Sequence, residues 1–120
     1  MQMNQFFSFS NAQTNPNFNE VQDIEPQDLW EHRDQVRIID VRRQDERQTG
    51  FIPGSAHIVL DTLPDHIDQI PKDQTLVFVC AVGGRSSRAA AWALSEGFKS
   101  VYNLKGGMKQ WQLLNMESAN

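Results

Sequence analysis

The sequence has little of several features that mark particular classes of protein. One cysteine among 120 residues cannot form an internal disulfide, so nothing indicates an oxidising compartment. The first residues show no basic start followed by an apolar core, as a secretory signal would. No segment approaches the roughly 18 apolar residues that cross a bilayer. We therefore expect a cytoplasmic protein that does not enter a membrane.

Charge is absent from the first part of the chain. Residues 1–19 contain no charged side chain and are dominated by Asn, Gln, Ser and Phe. This composition predicts a polar, disordered tail, although its four phenylalanines could instead dock on the domain or on a partner. The rest of the chain is long enough to bury one core. We predict a domain at residues 20–115 and a short C-terminal tail at residues 116–120.

Positive charge is concentrated in one stretch of an acidic chain, whose net charge is −4. Between residues 80 and 110 the charged side chains are Arg85, Arg88, Lys99, Lys105 and Lys109 against Glu96 alone. Nucleic-acid binding requires a broader basic face, so we expect no nucleic-acid partner. A small basic zone near a cysteine suits a small anion.

The lone cysteine follows the most strand-like run of the chain. Residues 76–79 read Leu-Val-Phe-Val, Cys80 comes next, and an alanine-rich helix is predicted to begin near Arg85 or Ser86. Between them lie Gly83 and Gly84, which allow a tight loop. Free backbone N–H groups at a helix start stabilise negative charge, and a thiolate is the nucleophilic form of cysteine. The pattern predicts a reactive Cys80.

Strands and helices alternate along the predicted domain. We predict strands at residues 21–24, 36–41, 56–58, 76–79 and 101–103. Helices are predicted at residues 26–33, 42–48, 61–70, 85–97 and 106–114. The third helix would be capped by Asp61, and the last would carry Met108, Trp111 and Leu114 on its apolar side. This alternation predicts an α/β domain with a mostly parallel sheet, whose sites form at the carboxyl ends of strands.

Four stretches identify a family that the chain resembles. They read IDVR at residues 39–42, GFIPGSA at 50–56, CAVGGRS at 80–86, and GGM at 106–108 followed by Trp111. In this order and spacing they resemble the rhodanese domain, in its single-domain thiosulfate sulfurtransferase form. The resemblance implies a five-stranded parallel sheet flanked by helices. It implies that a catalytic cysteine takes a sulfane sulfur from a donor, becomes a persulfide and passes the sulfur to a nucleophile such as cyanide or a thiol.

The resemblance also assigns roles to residues. Cys80 becomes the nucleophile, and the donor's anionic end and the persulfide would be bound by the backbone of Ala81, Val82, Gly83, Gly84 and Arg85. Three further residues are expected to form an ion-pair cluster that supports the loop: Asp40, Arg42 and Glu46.

No histidines share a ligand spacing and no cofactor fingerprint is present, so we expect neither metal nor cofactor.

Loop length and one substitution leave alternatives open. Four residues separate Cys80 from Arg85, whereas cysteine phosphatases have five; by the resemblance, the shorter loop favours sulfur over phosphate. Ala81 stands where many thiosulfate-using members have arginine or lysine, so a charge for the donor's sulfonate is missing. A binding or sulfur-relay module with little turnover, whose sulfur acceptor would be a thiol or a protein, is the alternative, and a phosphatase is a minor one.

Overall fold

The sheet is built around strand β4 (Leu76–Val79), which is buried on both faces. The computed structural model describes residues 21–120. Its other strands are β1 (Gln22–Ile24), β2 (Arg37–Asp40), β3 (Ala56–His57) and β5 (Val101–Leu104). All pairs are parallel, in the order β1-β5-β4-β2-β3. The five-stranded parallel sheet is confirmed.

Short helices cover both faces of the sheet. They are α1 (Pro26–Glu31), α2 (Gln44–Arg47), α3 (Gly84–Ser95) and α4 (Gly107–Leu113). Side chains of β4 alternate between two cores because successive residues of a strand point to opposite faces. Phe78 packs on the face that α3 covers, and Val79 on the face that holds Trp111 of α4. The carboxyl ends of the strands are left as the edge where a site can form.

The predicted helix at residues 61–70 is wrong. Two 3₁₀ segments, Leu60–Asp65 and Ile67–Gln69, stand there, and Asp61 caps neither of them. Pro64 lies inside the first segment, and in an α-helix its ring would collide with the carbonyl four residues earlier, which disfavours a regular α-helix here. The apolar side was correctly predicted, since Leu63 and Ile67 are buried.

Helix ends also differ from the predictions. A third 3₁₀ segment, Arg33–Gln35, follows α1; α2 is shorter than predicted at both ends, and α3 ends at Ser95. Leu114 is half exposed just beyond α4, outside the core, whereas Trp111 is fully buried. No helix among residues 21–120 is long and apolar enough to cross a membrane.

The last residues lie against the domain. Phe51 and Ala119 exchange two backbone hydrogen bonds of 2.9 and 2.8 Å, and the indole N–H of Trp111 donates to the Glu117 carbonyl at 2.8 Å. The short C-terminal segment predicted at residues 116–120 is therefore anchored near the turn that precedes β3. The predicted N-terminal tail, residues 1–19, lies outside the described residues.

Candidate active site

Cys80 lies at the carboxyl end of β4, directly before the loop that leads into α3. Its side chain is 1% exposed. Gly83 is the N-cap of α3, with φ of +112°. An L side chain rarely adopts this left-handed backbone, so glycine is needed where the loop turns back over the sulfur. The turn brings the first N–H groups of α3 to the cysteine.

Three donors surround the Cys80 sulfur. The N–H of Gly83 lies 3.1 Å from Sγ, the N–H of Ser86 3.3 Å, and the Ser86 hydroxyl 3.2 Å. Burial raises the pKa of the Cys80 thiol, but the Ser86 hydroxyl and the N–H groups of Ser86, Gly83 and Val82 outweigh it. The net result is a lowered pKa, because these donors favour the thiolate.

The loop residues predicted to bind substrate differ in what they face. Gly83 donates to the sulfur, as described, while the Val82 side chain is 63% exposed. The carbonyls of Cys80 and Ala81 accept the N–H groups of Met108 and Lys109, at 2.8 and 3.0 Å. The first turn of α4 therefore holds the cysteine loop in place through two backbone hydrogen bonds.

Gly107 has no side chain, and this lets the start of α4 approach the cysteine loop closely. A Cβ at Gly107 would lie 2.5 Å from the carbonyl oxygen of Ala81 and 2.6 Å from that of Cys80. Its φ of +63° is a second reason for glycine. A glycine at position 107 is thus a packing requirement of the cysteine loop.

Arg85 points toward α2 and forms a two-pronged ion pair. Its Nη1 and Nη2 lie 2.8 and 2.7 Å from the two carboxylate oxygens of Glu46. The hydrogen bonds from Arg85, with the backbone N–H of Arg43, lower the pKa of Glu46 to about 2, despite partial burial. The pair fastens the start of α3 to α2.

Asp40 is buried between two arginines. Arg42 donates to both of its carboxylate oxygens, at 2.8–3.2 Å, and Arg47 donates at 3.2 Å. Arg42 also donates to the carbonyls of Glu46 and Gly50. The sequence grouped the Glu46 carboxylate with Asp40 and Arg42; it pairs instead with Arg85, and only the Glu46 backbone reaches Arg42.

A cavity of about 380 Å³ opens beside the loop. Ala81 and Val82 form one side, Lys109 and Gln112 of α4 another, and Glu46 lies in the wall toward α2. The Lys109 side chain is exposed and supplies a cation at this edge. No group of three or more His, Cys, Asp or Glu suited to a metal ion occurs within residues 21–120.

Comparison with known proteins gives the family. The sequence profile of the Rhodanese-like domain matches residues 25–114, three quarters of the chain. This chain belongs to the Rhodanese-like domain family. The motif prediction is thereby confirmed for the family, as is the fold.

Named relatives of this rhodanese-like chain include sulfurtransferases. It is 35% identical over 92 residues to the thiosulfate sulfurtransferase GlpE of Pseudomonas aeruginosa, covering 76% of this chain and 84% of that protein. A sulfurtransferase of Allochromatium vinosum is 34% identical over 76 residues, covering 63% and 71%. The crystal structure of a rhodanese-related protein from Thermoplasma volcanium aligns with a TM-score of 0.76 at 25% identity, covering 81% and 96%. These relatives support a sulfurtransferase in general terms.

Sequence reasoning missed three residues at this rhodanese-like site. Ser86 was noted only as a helix start and as the last residue of the cysteine motif, yet its N–H and hydroxyl both reach the sulfur. Asn103, a polar residue inside the buried strand β5, accepts the Ser86 hydroxyl. Arg47 is the second arginine on Asp40. Asn103 was the detectable signal, because a buried strand seldom carries an amide without a partner.

Proposed function

We propose that this protein is a sulfurtransferase that carries a sulfane sulfur as a persulfide on Cys80. The observation that carries the proposal is the set of three donors converging on Sγ at the start of α3. They favour a thiolate without a metal or a neighbouring base. The family and its named sulfurtransferases agree with this chemistry.

The first half-reaction loads the sulfur. With thiosulfate as donor, the Cys80 thiolate attacks the sulfane sulfur and forms an Sγ–S bond. The bond between sulfane sulfur and the sulfonate sulfur breaks, and its electron pair leaves with sulfite. The reaction neither consumes nor requires an external oxidant or reductant.

The second half-reaction unloads it. Cyanide or a thiolate attacks the outer sulfur, the Sγ–S bond breaks, and Cys80 returns as a thiolate with thiocyanate or a new persulfide released. The outer sulfur of the bound persulfide is anionic. The N–H groups of Gly84 and Arg85, in the first turn of α3 and without intrahelical acceptors, are suited to stabilise it.

The remainder of the donor would occupy the cavity beside the loop. Arg85 is already engaged by Glu46 through both terminal nitrogens, and Ala81 carries no charge. Lys109 is the cation that lines this cavity on α4. We propose that Lys109 attracts the sulfonate of thiosulfate, in place of the arginine or lysine that follows the cysteine in many thiosulfate-using members.

Mass measurement of the intact protein tests the proposal. Incubation with thiosulfate should add one sulfur atom, and cyanide or a thiol should remove it. Cys80→Ser is the matched control, since it replaces only the sulfur atom and should gain no mass. If none of a range of sulfane donors adds sulfur at Cys80, the enzyme hypothesis is wrong.

A relay module with little turnover of its own is the second candidate. Two observations favour it: the uncharged Ala81 and the engagement of Arg85 by Glu46, which leave thiosulfate few cations. Such a module would form the persulfide slowly from thiosulfate but rapidly from a protein or low-molecular-weight persulfide. Steady thiosulfate:cyanide turnover at rates ordinary for sulfurtransferases would exclude the relay module.

Release of phosphate from an aryl phosphate, dependent on Cys80, would instead revive the phosphatase alternative.

A further inference from the structure

A chain of side chains leads away from the Cys80 sulfur through Ser86 and Asn103 to Asp23. The Ser86 hydroxyl lies 3.2 Å from Sγ and also contacts Oδ1 of Asn103. Nδ2 of Asn103 donates to the Asp23 carboxylate at 3.0 Å. Ser86 and Asn103 are buried, whereas Asp23 is exposed in the middle of β1, directly opposite Asn103.

The direction of these hydrogen bonds follows from the Asp23 carboxylate, at the end of the chain farthest from the sulfur. A carboxylate can only accept, so the NH₂ end of the Asn103 amide must face Asp23. Its carbonyl oxygen therefore faces Ser86, and it also can only accept. The Ser86 hydroxyl has one proton to donate, and two acceptors compete for it: the Asn103 amide oxygen and the Cys80 sulfur.

The two protonation states of Cys80 use this proton differently. In the thiol state S–H donates to the Ser86 oxygen and the hydroxyl donates to Asn103, so every group has a partner. In the thiolate state the hydroxyl turns to the sulfur, and the buried Asn103 oxygen loses its donor. An unpaired buried acceptor is unfavourable. We propose that Asn103, oriented by Asp23, is a positioning residue that holds the Ser86 proton away from the sulfur and limits the thiolate fraction of Cys80.

This proposal gives Asn103 the opposite effect to Ser86. Ser86 supplies a donor to the thiolate, whereas Asn103 competes for that donor. The role of Asn103 in sulfur transfer rests on the proposed function, but its effect on the thiol does not. The chain holds a single cysteine, so the thiolate absorbance near 240 nm reports on Cys80 without interference from another thiol.

Charged groups on the surrounding elements must stay constant in the test. They are Arg85 with Glu46, Asp40 with Arg42, His57 of β3, Lys109 of α4, and Asp23. The variants below alter only the last of these. Asp23→Leu and Asp23→Asn remove the same charge, but only the asparagine keeps an oxygen that can accept from Asn103.

The test is the pH profile of thiolate absorbance, with alkylation by iodoacetamide as a second readout. Asn103→Leu should move the midpoint to lower pH. Below the midpoint it should speed alkylation about twofold to tenfold, the equivalent of one neutral hydrogen bond, with an unchanged rate at high pH. Ser86→Ala should move the midpoint upward. In the Ser86→Ala background, Asn103→Leu should have no further effect, since the proton for which Asn103 competes is gone.

Asp23 provides a test that requires no substitution of a buried residue. Without an acceptor at position 23 the amide can rotate and donate to the Ser86 oxygen, which frees the hydroxyl proton for the sulfur. Asp23→Leu should therefore lower the midpoint more than Asp23→Asn. Equal midpoints for these two variants would overturn the proposal. An unchanged or raised midpoint in Asn103→Leu would also overturn it. A purely structural role for Asn103 predicts a raised midpoint, because a loosened loop would bring fewer N–H donors to the sulfur. Failure of sulfur loading with these shifts intact would count against the proposed function alone.

Discussion

We predict that the Arg85–Glu46 ion pair stabilises the fold and that this stabilisation depends on pH. Glu46→Gln removes the carboxylate charge and keeps the shape of the side chain. The pKa of Glu46 is lowered from 4.5 to about 2, chiefly by the hydrogen bonds from Arg85 against the effect of burial. At about 1.4 kcal/mol per pKa unit this corresponds to about 3 kcal/mol of folding free energy. A fifth of the Glu46 side chain and nearly a third of that of Arg85 are exposed, so screening by solvent reduces the expected loss to about 1–2 kcal/mol.

The sign of the pH dependence follows from the lowered pKa. The folded protein holds Glu46 ionised below the pH at which the unfolded chain protonates it. The stabilisation is therefore complete above about pH 4.5 and is lost as the pH falls toward 2. The difference in unfolding free energy between wild type and Glu46→Gln should be constant near neutrality and should shrink across this window.

Urea denaturation at pH 7, 4.5 and 2.5 measures this difference. At pH 7 the variant should also melt several degrees lower, since about 1 kcal/mol shifts Tm by about 4–8 °C in a small domain. Asp45→Asn is the matched control: Asp45 lies next to Glu46 and pairs with Arg43, but both side chains are mostly exposed. Little change is expected there. A Glu46→Gln defect no larger than that of Asp45→Asn, or one that persists undiminished at pH 2.5, would refute the reasoning.

Three further substitutions probe the support of the loop and the proposed donor site. Gly107→Ala should destabilise the fold by about 1–3 kcal/mol, because its Cβ would collide with the Ala81 and Cys80 carbonyls; Gly84→Ala, which has open space, should be tolerated in the same melting assay. Asp40→Ala leaves the buried Arg42 with backbone carbonyls but no carboxylate and should cost about 3–5 kcal/mol of unfolding free energy in urea titrations, a loss that an equally stable variant would disprove. Lys109→Met should raise KM for thiosulfate with kcat preserved; an unchanged KM would remove Lys109 from the donor site.

Local pattern was enough to predict most of the architecture. The run Leu76–Val79 is apolar on both faces, as a central parallel strand requires, and the observed strand has the predicted bounds. The failure at residues 61–70 has a local cause that the spacing of Leu63 and Ile67 concealed. Both residues are buried as expected, but Pro64 favours a 3₁₀ path that brings them inward just as well.

The candidate site was predictable only in part, because its partners are far apart in sequence. Cys80 and the glycines of its loop lie within one short motif, and their chemistry follows from a strand that leads into a helix. Glu46 was noted but paired with the wrong residues, since its true partner Arg85 lies 39 positions away. Nothing in the local sequence distinguishes this choice from Arg42, which is only four positions away.

The sequence by itself determined the order of strands and helices, the parallel sheet and the position of the cysteine that we propose as nucleophile. These depend on periodicity, glycine positions and one short loop, all of which are local properties of the chain. Only the tertiary structure decided which donors reach the sulfur and what competes for them. Ser86 meets Asn103 because β5 lies beside β4 in the sheet, and Asp23 meets Asn103 because β1 lies beside β5. The thiol that opens the loop is a property of the sequence, but its environment is a property of the fold.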